Sequence, residues 1–222
     1  MSRQPATPPR QGLYDPSHEH DSCGVGFIVH LKGHRSHQIV DDGVTALEHL
    51  NHRGACGCEV NTGDGAGLLI QVPDEFFRRE CAALGIRLPE PGHYGVGLFF
   101  APPDDRARLQ GKALFAAIVE EEGQHLLGWR PVPTNNASVG DTAKAAEPAM
   151  EHVFIGRGAD APDDDAFERK LYVIRKRFEK AICRWGVKDP EQFYFPSLSC
   201  RTLVYKGMLT ATQLREYFPD LS

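Results

Sequence analysis

The segment from Asp163 to Trp185 restricts the fold more than any other part of the chain. Apolar residues recur there at Phe167, Leu171, Ile174, Phe178, Ile182 and Trp185, a spacing that predicts one long helix with a continuous apolar stripe. Such a stripe needs a broad apolar surface to lie on. The remaining sequence offers strands for that purpose: Gly24 to Leu31 as a buried strand, Leu68 to Val72, Tyr94 to Ala101, Leu126 to Val132, His152 to Gly156, Phe193 to Cys200 and Thr202 to Lys206. The last two read as an antiparallel pair. Further helices are predicted over Gln38 to His52, Asp74 to Leu84, Asp104 to Glu122 and a short stretch capped by Thr210 and ending near Phe218. In the first of these Asp41 and Asp42 fall in the opening turn and Gly54 marks the stop, and Asp74 caps the second. In the third, Leu109, Leu114 and Ile118 face inward. Thr134 to Met150 is polar, alanine-rich and weakly patterned, and reads as a mobile loop. The order β-α-β-α-β-α-β-β-α-β-β-α predicts a mixed α/β body with helices packed on sheets, without internal repeats.

A chain of 222 residues suits one large domain or two small ones, and 41% hydrophobic residues can bury a real core. The net charge of −5 argues against a nucleic-acid or anionic-membrane surface. Lysines and arginines do gather between Arg169 and Arg184, but they interleave with apolar residues and read as a solvated helix face. No apolar run approaches the ~20 residues that span a bilayer, and no signal-type stretch opens the chain, so a cytoplasmic address is expected. The six cysteines are scattered and are expected as free thiols.

Residues Met1 to Ser22 read as a polar, proline-bearing leader, and composition changes abruptly at Cys23-Gly24-Val25-Gly26-Phe27. Cleavage after Ser22 would place a thiol and a free α-amine on one residue. In model compounds a cysteine thiol titrates near about 8.5 and an α-amine near about 7.7–8.0, close enough to exchange a proton at neutral pH. That makes a nucleophile with its own base. The plainer alternative is a small buried cysteine opening a strand. Arg53 and Gly54 end the first helix, where an arginine can hold a carboxylate bidentately or satisfy helix-end carbonyls. Gly63-Asp64-Gly65-Ala66-Gly67 precedes a strand, the reverse of a phosphate-binding turn, and no Gly-Lys-Ser/Thr follows it. These glycines read as close backbone packing. Cys56 and Cys58, with the histidine pairs His18/His20, His34/His37 and His49/His52, lack the second Cys pair of a structural zinc knuckle, so no metal site is expected.

Four segments together resemble one family. They are Leu13 to Pro16 with Glu19 to Phe27; Leu50-Asn51-His52-Arg53-Gly54-Ala55; Thr62 to Gln71; and Ser199 to Leu209. Their content and order are similar to the N-terminal glutaminase domain of the glutamate synthase large subunit, a class II glutamine amidotransferase of the N-terminal-nucleophile type. The resemblance covers nearly the whole chain. It implies a four-layer αββα sandwich, a propeptide at residues 1–22, and an amidotransferase domain over 23–222 with Cys23 as nucleophile. Arg53 and Gly54 take the place of the arginine–glycine pair lining the active centre, where L-glutamine would bind. It further implies ammonia delivery to a synthase domain carrying FMN and an iron–sulfur cluster, none of it in this chain, with an electron-donating small subunit in some systems.

The resemblance is incomplete. The family's His-x-Arg-Phe-Ser-Thr segment, which supplies the substrate-carboxylate arginine, does not occur among these residues. Nor does its Asn-Gly-Glu segment, which builds the oxyanion hole. The expectation is a domain whose C-terminal part is missing, with little or no glutaminase activity alone and with sheet edges left uncovered. A non-catalytic scaffold or regulatory binding module derived from that domain is the alternative.

Overall fold

The computed structural model describes residues 10–13, 15, 23–51, 59 and 61–222. Its centre is strand β2. In chain order, helix α1 spans His37–His49, strand β1 Ala66–Gln71, helix α2 Asp74–Ala83, strand β2 Tyr94–Ala101 and helix α3 Asp105–Glu121. Strand β3 (His125–Pro131), helix α4 (Asp141–Ala145), strand β4 (Ala149–Gly156) and helix α5 (Asp164–Ile182) follow. Strand β5 (Leu198–Ser199), strand β6 (Thr202–Gly207) and helix α6 (Gln213–Tyr217) complete the set. The strands form a four-stranded sheet, ordered β3-β4-β2-β5, and a β1–β6 ribbon; every pairing is antiparallel.

β2 pairs with β4 along its whole length, from Tyr94 opposite Gly156 to Ala101 opposite Ala149. On one face of this sheet lie α3 and α5. Their buried residues meet Phe99, Val153 and Ile155 in a core built around stacked and edge-on rings, among them Phe99, Phe115, Phe178 and Phe195. Both helices start where a carboxylate accepts an amide bond: Asp104 from Ala107 N (2.8 Å) and Asp163 from Ala166 N (2.7 Å). On the other face, Tyr94, Val96, Leu98 and Phe154 form a second core with Phe77 of α2, Leu203 and Tyr205 of β6, and Leu214 of α6. The ribbon closes this core, and α1 packs on β1 with Val44 fully buried. Helices, sheet, ribbon and outer helix together make an α+β sandwich in the αββα order. No helix among the described residues is long and apolar enough to cross a membrane.

Several local expectations need correction. Gly24–Leu31 is not a buried strand: residues 23–30 have no regular structure, and Phe27 is 88% exposed. Apolar alternation defines a face, but a strand also needs an edge to bond to, and none of the described strands pairs with this segment. Thr134–Met150 is ordered by α4, with Val139 and Ala143 in the second core. Phe193–Cys200 yields only the two residues of β5 and a bridge from Tyr194 to Phe100, because Pro196 lacks the amide a longer ladder needs. β5 and β6 also enter different sheets rather than pairing. Leu109 is exposed, its place taken by Phe115. Trp185 lies beyond the end of α5 and is 60% exposed. Asp41 and Asp42 fall after the first turn of α1, and its C-cap is Leu50; Gly54 lies outside the described residues. Asp74 does not cap α2 but bonds Arg78 and the Tyr94 hydroxyl.

One charge organises the second core. Arg130 of β3 is buried and donates to both oxygens of Asp220 (2.7 and 2.9 Å), in the short turn Pro219–Leu221, and to Glu80 of α2 (3.0 Å). Tyr205 donates to Asp220 as well (3.1 Å), and His152 Nδ1 lies 3.3 Å from the guanidinium. Burial, and then the neighbouring Arg130 charge, push the fully enclosed His152 imidazole down to about 3. It is therefore neutral in the folded protein.

Two outcomes follow from this cluster. Asp220→Ala leaves the buried guanidinium with Glu80 as its remaining carboxylate, and should lower stability by about 3 kcal/mol in urea unfolding; a loss under about 1 kcal/mol would contradict the burial. His152 takes up a proton on unfolding below its ordinary value of 6.5 but not in the folded state. Stability should accordingly fall with acidification from pH 6.5 toward 4, with a slope contribution up to about 1.4 kcal/mol per unit. His152→Leu should flatten that slope, whatever its effect on stability at pH 7.

Candidate functional site

Cys23 is exposed, and its thiol is free; the alternative of a buried structural cysteine does not hold. Its neighbour Gly24 rests on the end of α1. A β-carbon on Gly24 would stand 3.1 Å from the Leu50 β-carbon, a contact tight enough that Leu50 would have to give way. From Leu50 the chain leads in three residues to Arg53 and in four to Gly54. Those two residues, Cys56, Cys58 and most of the 1–22 leader lie outside the described residues. What the structure brings together is thus Cys23–Gly24 and the end of α1, from which the chain runs toward Arg53 and Gly54.

The segment that leaves this region is held by a brace that no local sequence pattern announces. Glu59 accepts from Thr62 Oγ1 (2.8 Å), Thr142 Oγ1 (2.7 Å) and Thr142 N (3.2 Å), the last two from the start of α4. These bonds, those of Thr142 first, hold its carboxyl below the ordinary range. Asn61 O accepts from Gly140 N (2.9 Å) and from the buried Gln213 Nε2 (3.0 Å). Gln213 also donates to Ser138 O (2.7 Å) and accepts from Thr210 N (2.9 Å). A sequence signal for this last contact existed. Thr210-x-x-Gln213 has capping-box spacing, but the glutamine half is the one formed; the helix's N-cap is Thr212, not Thr210.

Gly63 shows why the turn before β1 is glycine-dense. A β-carbon there would collide with the backbone of Leu209 and Thr210. The turn is close backbone packing, as its order in the sequence implies. Beside it opens a cleft of about 670 Å³ between ribbon and sheet, with Leu69, Val204, Phe100 and Met150 among its walls and Asp64, Glu147 and Lys206 at its polar positions. Cys23 does not line it. Lys206 donates to the Tyr194 hydroxyl (3.0 Å) and Tyr217 to Glu147 (2.6 Å). Among the described residues, no group of three or more His, Cys, Asp or Glu side chains could hold a metal ion.

Comparison with known proteins adds the following. A sequence profile of the class-II glutamine amidotransferases matches residues 23–222. The glutamate synthase [NADPH] large chain of Bacillus subtilis is 48% identical over 214 residues, 96% of this chain and 14% of that protein. Ferredoxin-dependent glutamate synthase 2, chloroplastic, of Arabidopsis thaliana is 41% identical over 211 residues, 94% of this chain and 13% of that protein. Glutamate synthase [NADH] of Schizosaccharomyces pombe is 40% identical over 223 residues, 98% of this chain and 10% of that protein. The chain thus spans a small fraction of the length of these relatives.

The Glu59 brace has a pH signature. Its bonds favour the ionised carboxylate, so it is intact above the ordinary value of 4.5 and opens as pH falls through the lower folded value. An NMR titration should move the Thr142 amide resonance with a midpoint below that value. A midpoint at or above it would show the carboxylate to be unbraced.

Proposed function

The chain belongs to the class-II glutamine amidotransferases, and on that premise we propose that it is the glutaminase portion of a glutamate synthase, with Cys23 as the nucleophile. The observation that carries the reading is a profile match that begins at Cys23, a residue whose thiol is exposed beside the end of α1. Removal of residues 1–22 frees the Cys23 α-amine. That amine takes the thiol proton, and the sulfur attacks the side-chain amide carbon of L-glutamine. The amide nitrogen leaves as ammonia, carrying the proton from the amine, and a γ-glutamyl thioester remains. Water then releases glutamate and restores the thiol. Arg53 and Gly54 bind the substrate in this reading. Chain connectivity supports the placement, since they follow closely on Leu50, the residue that Gly24 packs against.

In the longer protein the ammonia passes to 2-oxoglutarate at a synthase domain carrying FMN and an iron–sulfur cluster, which supply the reducing chemistry. The similar relatives are named for NADPH, ferredoxin and NADH. Comparable similarity to all three supports an electron-donor choice made outside this segment, in other domains or in a small subunit. The 222-residue chain alone is expected to hydrolyse glutamine slowly or not at all. The oxyanion-hole Asn-Gly-Glu segment is not among its residues, and one lost oxyanion donor already removes about 10²–10³ in rate.

Intact-mass analysis of the longer protein should find Cys23 at the chain start, alkylated selectively at neutral pH. Cys23→Ala there should abolish glutamine hydrolysis while leaving ammonia-dependent glutamate formation in place. Retention of glutaminase activity would remove Cys23 from the mechanism; loss of both activities would remove the delivery of ammonia.

A further inference from the structure

Apart from the exposed Arg169, the cations along α5 and just beyond it fall into two sets. The first is matched. Lys170 reaches Asp160 (2.8 Å) and Glu122 (3.3 Å), Arg177 reaches Glu122 (2.7 Å) and Glu121, and Arg175 and Lys176 share Glu179. The second set, Lys180 in the last turn with Arg184 and Lys188 beyond it, is not. Among the described residues neither Lys180 nor Arg184 has an ion-pair partner, and Lys188 meets only the adjoining Asp189 at 3.9 Å. Lys180 and Arg184 lie beside Trp185, which the chain lifts off the apolar stripe and leaves 60% exposed. Arg177, Lys180, Ala181, Arg184 and Trp185 line a shallow hollow of about 440 Å³.

Cations at a helix C-terminus are favourable to its dipole, which accounts for Lys180 and Arg184 but not for an indole in water among them. Trp and Arg are the residues that most often anchor protein interfaces. We infer that this corner docks an acidic, partly apolar segment of a partner polypeptide, its carboxylates meeting Lys180 and Arg184 while an apolar side chain covers Trp185. Charge complementarity selects this occupant. The chain as a whole carries 30 acidic against 25 basic residues, so a long polyanion crossing the surface meets repulsion beyond the patch. A short acidic segment does not, since screening confines the interaction to about 8–10 Å. A second copy of this chain is a poorer fit. Its two runs of three acids are largely engaged: Asp163 caps α5, Asp164 pairs with Arg157 (2.7 Å) and Asp165 with Arg201 (2.5 Å), while Glu121 and Glu122 of the run Glu120–Glu122 pair with Arg177. The inference is independent of the chemistry proposed for Cys23.

The test is calorimetric titration of the 222-residue chain with a short blocked peptide of alternating glutamate and leucine. Saturable binding is expected, weakened about tenfold or more by the double substitution Lys180→Glu, Arg184→Glu, and several-fold by Trp185→Ala and by added salt. The substituted side chains are exposed, so unchanged urea midpoints should show that the variants fold. Equal affinity of the charge-reversed variant overturns the inference. So does equally tight binding of an oligonucleotide or of poly-glutamate without leucine, which would make the patch a bare anion site. Self-association of the chain that Trp185→Ala abolishes would assign the surface to a second copy instead, and would equally overturn it.

Discussion

A guanidinium held away from water obliges the groups around it to arrive together. Arg130 is carried by β3, and its partners come from α2, β4 and the turn after α6, with β6 joined through Tyr205 and Asp220. None of these segments is adjacent in sequence to another. The ion pairs offset the desolvation of Arg130 only when all are in place, which makes the second core one cooperative unit. The neutral state of His152 follows first from its complete burial and then from the neighbouring Arg130 charge. The first core has no such constraint. It is made of rings and aliphatic side chains, and depends on the shape of the α3–α5 pair against the sheet.

What could be read in the sequence was whatever one segment settles alone. Tyr94 to Ala101 is an unbroken apolar run between turn residues, and the strand ends where the run does. Asp104 and Asp163 stand where the helices begin because a carboxylate there satisfies an otherwise unpaired amide. The layered sandwich was implied by resemblance, and the two cores on opposite faces of one sheet are its physical form. Illegible were features decided by distant partners. Val139 and Ala143 fill the second core from a stretch whose small side chains carry a weak apolar signal. Trp185 continues the spacing of the α5 stripe, yet the helix has ended before it and the stripe has turned away.

The candidate site divides along the same line. A change of composition marks Cys23, which needs no partner to be noticed. The Glu59–Thr142 brace joins residues 83 positions apart, and neither residue sits in a patterned run. Likewise the basic run of α5 reads as a solvated face, whereas Lys170 and Arg177 are paired to acids at the end of α3. Long-range pairing is what a single sequence conceals.

The β1–β6 ribbon has a consequence for how the molecule comes into being. Ala66 finds its partner at Gly207, near the other end of the chain, so the loop it closes contains nearly every other element. Closing so large a loop loses entropy before any contact compensates for it. On a ribosome, β1 emerges early and waits without a partner through the synthesis of α2, β2, α3, β3, β4 and α5. The four-stranded sheet, whose main pairings span shorter separations, can assemble during that interval and offer its bare face as the template on which the ribbon is finally laid.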